Sequence, residues 1–333
     1  MTLLIILLGF AFGLALQYSK VNTYNTISGM AILEDFTVAK TIATAIGIGA
    51  MILMVLVGLG LASYHIKPFI VGSIILGGLI FGTGMAILGY CPGTMPVSLG
   101  QGSLDALWGL TGGLTASYMY TLLSPKIHNV LGPDLGQLSV TSTTSVPALQ
   151  YVIVFGIASI FIGIAFVLNK IEKKKDLKWF YSAFGIAVVA ATVFAVSDRV
   201  LGASSFYPYL ADNITGATDN DYYRQTEKSG NYEMKFLLGA FLSGLVLSLV
   251  KGEFRLKLIH ENWARFKGNA TSKRIIWALI GGFLLLFGAR LANGCTSGHV
   301  ISGGMQMAVS SLVFAVFVFI SFLTTGKLFY KKL

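Results

Sequence analysis

The sequence predicts an all-α polytopic membrane protein, with about nine transmembrane helices in an inverted repeat and broken or re-entrant helices at its centre. Composition is the first reason. Of 333 residues, 55% are hydrophobic and 11% charged, with a mean hydropathy of +0.75. Soluble domains carry about 25% charged residues, so this chain has too little polar surface for water. The second reason is that apolar runs of about 20 residues recur throughout, the length of a membrane-spanning helix. A β-barrel would show short alternating segments instead. The third is internal duplication. Gly77 to Gly102 reads GGLIFGTGMAILGYCPGTMPVSLGQG, and Gly281 to Gln306, 204 positions later, reads GGFLLLFGARLANGCTSGHVISGGMQ. Gly77 meets Gly281, Gly78 meets Gly282, Gly84 meets Gly288, Ser98 meets Ser302 and Gly100 meets Gly304. Cys91 meets Cys295, and the chain has only these two cysteines.

The apolar runs fall at 2–18, 41–63, 69–88, 104–124, 148–169, 179–197, 236–250, 275–292 and 305–326. The opening run has no basic residue before it and no small-x-small cleavage site, and its first positive charge, Lys20, follows it. It reads as a retained first helix rather than a signal peptide. The 236–250 run is short for a span, which implies a helix beginning before Met234. The whole chain forms one transporter domain, 1–333, with repeat halves of about 1–169 and 179–326 joined through the basic segment 170–178. Segment 198–235 reads as a polar cap with short helices, the alternative being a disordered loop.

The 24 Lys+Arg outnumber the 14 Asp+Glu. The surplus sits in short loops, where it signals topology rather than nucleic-acid binding. Segments 170–178, 251–274 and the tail after Thr325 hold 15 of the 24, while 198–235 carries six acids against four bases. The positive-inside rule places the first three in the cytoplasm and 198–235 outside, with the N-terminus outside and the C-terminus cytoplasmic. The Cys91 break then enters from the cytoplasmic face and the Cys295 break from the external face, so both converge near the midplane. Paired interruptions in two halves are the sequence mark of a transport site.

Each break offers small polar groups. Thr94 follows Cys91, and Thr296, Ser297 and His299 follow Cys295. Thr94 and Thr296 or Ser297 are N-cap candidates, with Pro96 suited to a first helical turn. A helix starting inside the membrane favours an anion at its N-terminus. The glycines at 77, 78, 281 and 282 read as helix-packing residues. Arg290, inside an apolar span, faces a cavity or partner or else snorkels to the external surface. His299 is anion-facing or proton-linked, or a neutral histidine bonded to backbone. Asp105 reads as a charge complementing a helix dipole. With Arg290, His299 and Asp198 it makes up the candidate proton-coupling groups. No catalytic triad, phosphate loop or metal cluster is present, and no cofactor is implied. The cysteines form no Cys-x-x-Cys or zinc pattern; a disulfide, inert buried thiols and functional thiols are the three readings. A protonated thiol is a soft, weak donor that suits a soft sulfur-bearing anion.

GTGMAILGYCPGT at Gly82–Thr94 and GARLANGCTSGH at Gly288–His299 resemble the two signature segments of the YeeE/YedE family, the TsuA-type thiosulfate transporters. The resemblance spans essentially the whole chain. It implies an hourglass-like helical bundle and thiosulfate uptake across the bacterial inner membrane, with cysteines relaying the anion and a soluble TusA-like sulfur-carrier protein as partner. Cys91 would be the central station and Cys295 the outer one. Many members carry a third cysteine after the first helix, where this chain reads Ser19-Lys20-Val21-Asn22, so the cytoplasmic station would be the amide of Asn22. The alternatives to transport are a membrane thiol oxidoreductase, which predicts a Cys91–Cys295 disulfide, and a non-transporting dock for a sulfur-carrier protein.

Overall fold

The computed structural model describes residues 1–127, 131–144, 146–172 and 176–331. Among them the regular elements are helical: α1 (Thr2–Tyr18), α2 (Tyr24–Ala31), α3 (Thr37–Gly58), α4 (Val71–Leu88), α5 (Thr94–Gly100), α6 (Leu104–Ile127), α7 (Pro147–Ile171), α8 (Lys178–Ser197), α9 (Phe206–Thr215), α10 (Asp221–Val250), α11 (Glu261–Lys267), α12 (Thr271–Leu291) and α13 (Val309–Phe329). A 3-10 turn, Val140–Thr143, precedes α7, and a π-helical segment, Thr296–Gly303, lies between α12 and α13.

Seven of these helices, α3, α4, α7, α8, α10, α12 and α13, are long and apolar enough to cross a membrane, which makes this a multi-pass membrane protein. The two remaining apolar runs fall on α1, an apolar helix of 17 residues, and on α6, whose 24 residues include several Thr, Ser and Tyr. The 236–250 run is the second half of the 30-residue α10. Segment 198–235 is therefore α9 plus the front of α10. The last run starts late, at Val309, because 305–308 belongs to the second break. Lys173–Lys175 of the basic linker, residues 128–130 and 145, and Lys332 of the tail lie outside the described residues.

The bundle has two distinct ends. At the basic end, α2, α11, the start of α12 and the end of α13 meet. Tyr24 bonds Tyr330 at 2.7 Å and stacks on His260, and Asn262 bonds the carbonyl of Asn25. At the cap end, Phe69 pairs with Leu135, Val309 with Leu138, and His65 with Asp198 at 3.0 Å.

The centre is an antiparallel seam between α4 and α12, made close by the duplicated glycines. A methyl group at Gly77 would meet Ala292 and Gly288, and one at Gly288 would meet Gly77 and Phe81. Likewise Gly84 faces Leu285 and Gly281, and Gly281 faces Leu88. Gly78 lies against Phe314 of α13, and Gly282 against Gly109 of α6. Exchanging the two sequence copies converts the Gly77 and Gly84 contacts into those of Gly281 and Gly288. Between apolar helices in lipid, such backbone approach supplies the packing that hydrophobic burial supplies in water.

Each seam helix also caps the other's end. Arg274, in the first turn of α12, donates to the carbonyls of Ile87 (3.3 Å) and Leu88 (2.7 Å), the last of α4. Ser73, near the start of α4, donates to the carbonyl of Leu291, the last residue of α12. Arg274 is buried between the rings of Tyr24 and Trp263 and pairs with buried Asp105 at 2.6 Å. Asp105 also bonds His260 and Tyr90, each at 3.1 Å. The expectation for Asp105 is thus corrected. It does bond the Ala106 amide at the start of α6, but it also anchors a buried ion pair. A second buried pair, Lys40 with Glu172, ties α3 to the end of α7.

Two outcomes follow for thermal unfolding of the detergent-solubilised protein. Gly282→Ala drives a methyl onto the Gly109 backbone and lowers stability by about 1–3 kcal/mol. Gly163→Ala on α7, with open space around it, is neutral or raises stability by about 0.4–1 kcal/mol. Equal shifts at both would contradict the seam. Arg274→Met strands Asp105 as a buried charge and costs about 3–5 kcal/mol, most of which Asp105→Leu in the same chain restores.

Candidate functional site

The first break begins where α4 reaches Gly89, whose φ of 79° is left-handed and closes the helix. Buried Tyr90 follows, then half-buried Cys91. The Thr94 hydroxyl accepts from the Cys91 amide at 2.9 Å and lies 3.1 Å from the Cys91 carbonyl and 3.4 Å from Cys91 Sγ. Thr94 is the first residue of α5, not its cap, because its hydroxyl folds back on Cys91.

The second break begins at Leu291. Asn293 takes a φ of 53°, and Cys295 is extended and buried. Cys295 Sγ lies 3.2 Å from the Ser297 hydroxyl, and the Cys295 carbonyl accepts from the His299 amide at 2.7 Å. Neither Thr296 nor Ser297 is a helix cap. The Ser297 hydroxyl is taken by Cys295, and Thr296 Oγ1 is buried without a partner.

The two breaks face each other across one small cavity of about 50 Å³, with space for a few water molecules. Its polar groups are Cys91, Thr94, Thr296, Ser297 and Thr41 of α3, set in an apolar wall that includes Phe12, Val21 and Ile301. The hydroxyls of Thr41 and Thr296 are both buried and unpartnered. Such groups are uncommon in native interiors.

Larger cavities lie on either side. Toward the cap end, about 290 Å³ is lined by Lys67, Glu233, Asn293 and Gly298, among others. Toward the basic end, about 960 Å³ is lined by Asn22, Gln17 and Gln101, with Lys20, Lys178, Lys251, Arg255 and Lys257 around it. Consecutive residues line consecutive cavities: Gly298 the first, Ser297 and Thr296 the second, Val21 the second and Asn22 the third.

Asn22 is fully buried. Its amide donates to Gln101 (2.7 Å) and Ser98 (3.2 Å), and its Oδ1 has no partner. Gln101 continues the chain to Gln17 at 2.9 Å. Lys67 was not singled out by the sequence. It donates to the Asn293 carbonyl, with Gly294 and Gly298 beside its Nζ. Burial pushes its ammonium down to about 8, with Cys295 and Glu233 pulling the other way.

Arg290 does not snorkel. It is buried and donates to Tyr222 (2.5 Å), Ser204 (3.2 Å), Ser205 (3.4 Å) and Asn293 (3.4 Å), clamping the cap onto the second break. His299 faces neither the central nor the cap-end cavity. Its Nε2 donates to the Ala292 carbonyl at 2.7 Å, which leaves Nδ1 to accept from Ser311 at 2.9 Å. It is the neutral, backbone-bonded histidine of the two readings.

The start of α9 and the segment leading into it touch both breaks. The Leu201 amide bonds the Ser302 hydroxyl at 3.0 Å, and Tyr207 donates to the Pro92 carbonyl at 3.0 Å. Glu233 of α10 accepts the amides of Ser205 (2.6 Å) and Phe206 (3.0 Å) at the start of α9.

Both cysteines are free, so the disulfide of an oxidoreductase is not formed in this structure. Among the described residues no cluster of His, Cys, Asp and Glu could hold a metal ion. The chain is 25% identical to a thiosulfate transporter TsuA of Spirochaeta thermophila, over 98% of both chains. It is 20% identical to a thiosulfate transporter TsuA of Escherichia coli K12, over 97% of this chain and 93% of that one. These names describe transport, not catalysis. Residues 18–324, nearly the full length and both breaks, match the Sulphur transport family. With the two cysteine-bearing interruptions facing one cavity, the chain belongs to that family, the YeeE/YedE transporters.

Proposed function

We propose that this protein takes up thiosulfate, or a closely related sulfur-containing anion, across the bacterial inner membrane. The observation that carries the reading is the central cavity, lined by Cys91 and Thr94 of one break and Thr296 and Ser297 of the other, between two larger cavities. Both relatives are named for thiosulfate. The basic end lies in the cytoplasm and the cap end outside, by the distribution of Lys and Arg. The N-terminus is then external and the C-terminus cytoplasmic.

The two halves, about 1–169 and 179–326, form an inverted repeat, with 170–178 joining them. Paired contacts support this. α1 packs on α10 as α8 packs on α3, and α6 on α12 as α13 on α4. Ser98 bonds the backbone of Asn22, four residues beyond α1; Ser302 bonds that of Leu201, four residues beyond α8.

In this reading the anion enters past Lys67, whose ammonium offsets its charge. Cys295 and Ser297 then receive it, Cys91 and Thr94 hold it centrally, and Asn22 with Gln101 delivers it to the basic cavity. Weak thiol and hydroxyl donors at successive stations bind without trapping. The central cavity is too small for the anion as it stands, so passage requires the surrounding helices to part. The Lys and Arg residues around the basic-end cavity would receive the TusA-like sulfur carrier.

Uptake of labelled thiosulfate into proteoliposomes, with sulfite, sulfate and selenite as competitors, tests the substrate. Cys91→Ala is expected to lower uptake about 10- to 100-fold, the worth of one hydrogen bond to a charged ligand, with thermal stability unchanged. Normal transport by that variant would sink the station role. The pH dependence has a definite sign. The Lys67 ammonium is present below about 8 and lost above it, so uptake falls as external pH rises through that value. Lys67→Gln is slow throughout and lacks this limb.

A further inference from the structure

A second site lies outside the three cavities of the anion route, where α9 packs on α6 in the cap. Asp212 of α9 is 0% exposed, as is Ser117 of α6. No cation lies within ion-pair distance of Asp212 among the described residues, although such a partner is the usual company of a buried carboxylate. Asp212 Oδ2 lies 3.0 Å from the Thr121 hydroxyl, and Oδ1 has no partner. Ser117 Oγ, one helical turn from Thr121, is buried and unpartnered too.

Thr121 has a single hydroxyl proton, within reach of Asp212 Oδ2 at 3.0 Å and of the Ser117 carbonyl at 3.2 Å. That carbonyl already accepts the helical amide of Thr121, so the hydroxyl is free to serve the carboxylate, where it is one neutral donor to a buried charge whose Oδ1 stays open. Protonation of Asp212 removes that buried charge. The surroundings agree. The charged and titratable groups facing this contact are Arg290 of α12 and Tyr222 of α10, with Tyr120 of α6 packed on Tyr222. Arg290 favours the carboxylate, yet burial dominates and raises Asp212 to about 6.

We propose that Asp212 is a proton-binding site through which external pH gates anion uptake. The step is one reversible protonation: external water supplies H⁺ to the carboxylate as α9 seats on α6 and takes it back as α9 lifts, so no proton crosses the membrane. α9 reaches the first break through Tyr207 to Pro92, and the connection leading into it reaches the second through Leu201 to Ser302. At its start, Ser204 and Ser205 bond Arg290. Occupancy of Asp212 therefore biases the seating of α9, and with it the contacts that hold the two interruptions. This gating rests on the uptake function proposed above; the proton site itself does not.

Two measurements on the full-length protein separate these. Infrared titration of the purified protein is expected to show a buried protonated carboxyl that deprotonates near pH 6. This signal disappears in Asp212→Asn and persists when another acid of the cap, Asp219, is replaced by Asn. Thr121→Val, which keeps the acid but removes its hydroxyl partner, shifts the midpoint upward. In proteoliposomes held at one internal pH, the initial rate of thiosulfate uptake is expected to fall several-fold as external pH drops through about 6. Asp212→Asn, which mimics the protonated form, is expected to carry thiosulfate at the low-pH rate at every external pH. An unchanged titration in Asp212→Asn overturns the site, and a wild-type pH response in that variant overturns the gating. A wild-type carboxyl that titrates as expected in a protein that moves no thiosulfate upholds the proton site and refutes the substrate.

Discussion

A helix cannot stop inside a nonpolar slab unless its last carbonyls find donors. That constraint organises this molecule. At the first break Arg274 covers the carbonyls of Ile87 and Leu88, and left-handed Gly89 turns the chain. At the second, Ser73, His299 and Lys67 take the carbonyls of Leu291, Ala292 and Asn293 in succession. Two of these donors come from the opening turn of the opposite seam helix. The glycines at 77, 84, 281 and 288 matter for the same reason, because only a close seam brings those donors within reach.

The burial of charge follows from this arrangement. Arg274 is tolerated in the interior because Asp105 neutralises it, two aromatic rings flank it and two carbonyls use its remaining donors. Arg290 is its counterpart near the other break, held by hydroxyls and an amide rather than by a direct carboxylate contact. The basic end is thus locked by an ion pair, and the cap end by neutral hydrogen bonds. The cap end is also where α9, Glu233 and Lys67 assemble, so the softer lock lies where the anion is proposed to enter.

The breaks were readable in the sequence because glycine and cysteine spell them twice in the same register. The helix positions were readable because apolar runs are long and few residues interrupt them. The donors that close the breaks were not. Arg274 sits 186 residues from Leu88 and resembles every other basic residue of the 251–274 segment. Ser73 and Lys67 give no local signal, since their partners lie more than 200 residues away. The capping roles expected of Thr94, Thr296 and Ser297 failed for a physical reason. A hydroxyl beside a cysteine at a sharp turn bonds that residue first, as Thr94 and Ser297 do. Asp212 and Ser117 were invisible because an unpartnered acceptor is a property of packing, not of spelling.

The narrow waist between the two interruptions has a consequence for the cell. A chamber of about 50 Å³ holds too few waters to form an unbroken wire from one face of the membrane to the other. Sodium, potassium and stray hydronium find no continuous aqueous thread, so the bilayer's stored electrical and chemical gradients survive while a scarce nutrient is gathered one molecule at a time.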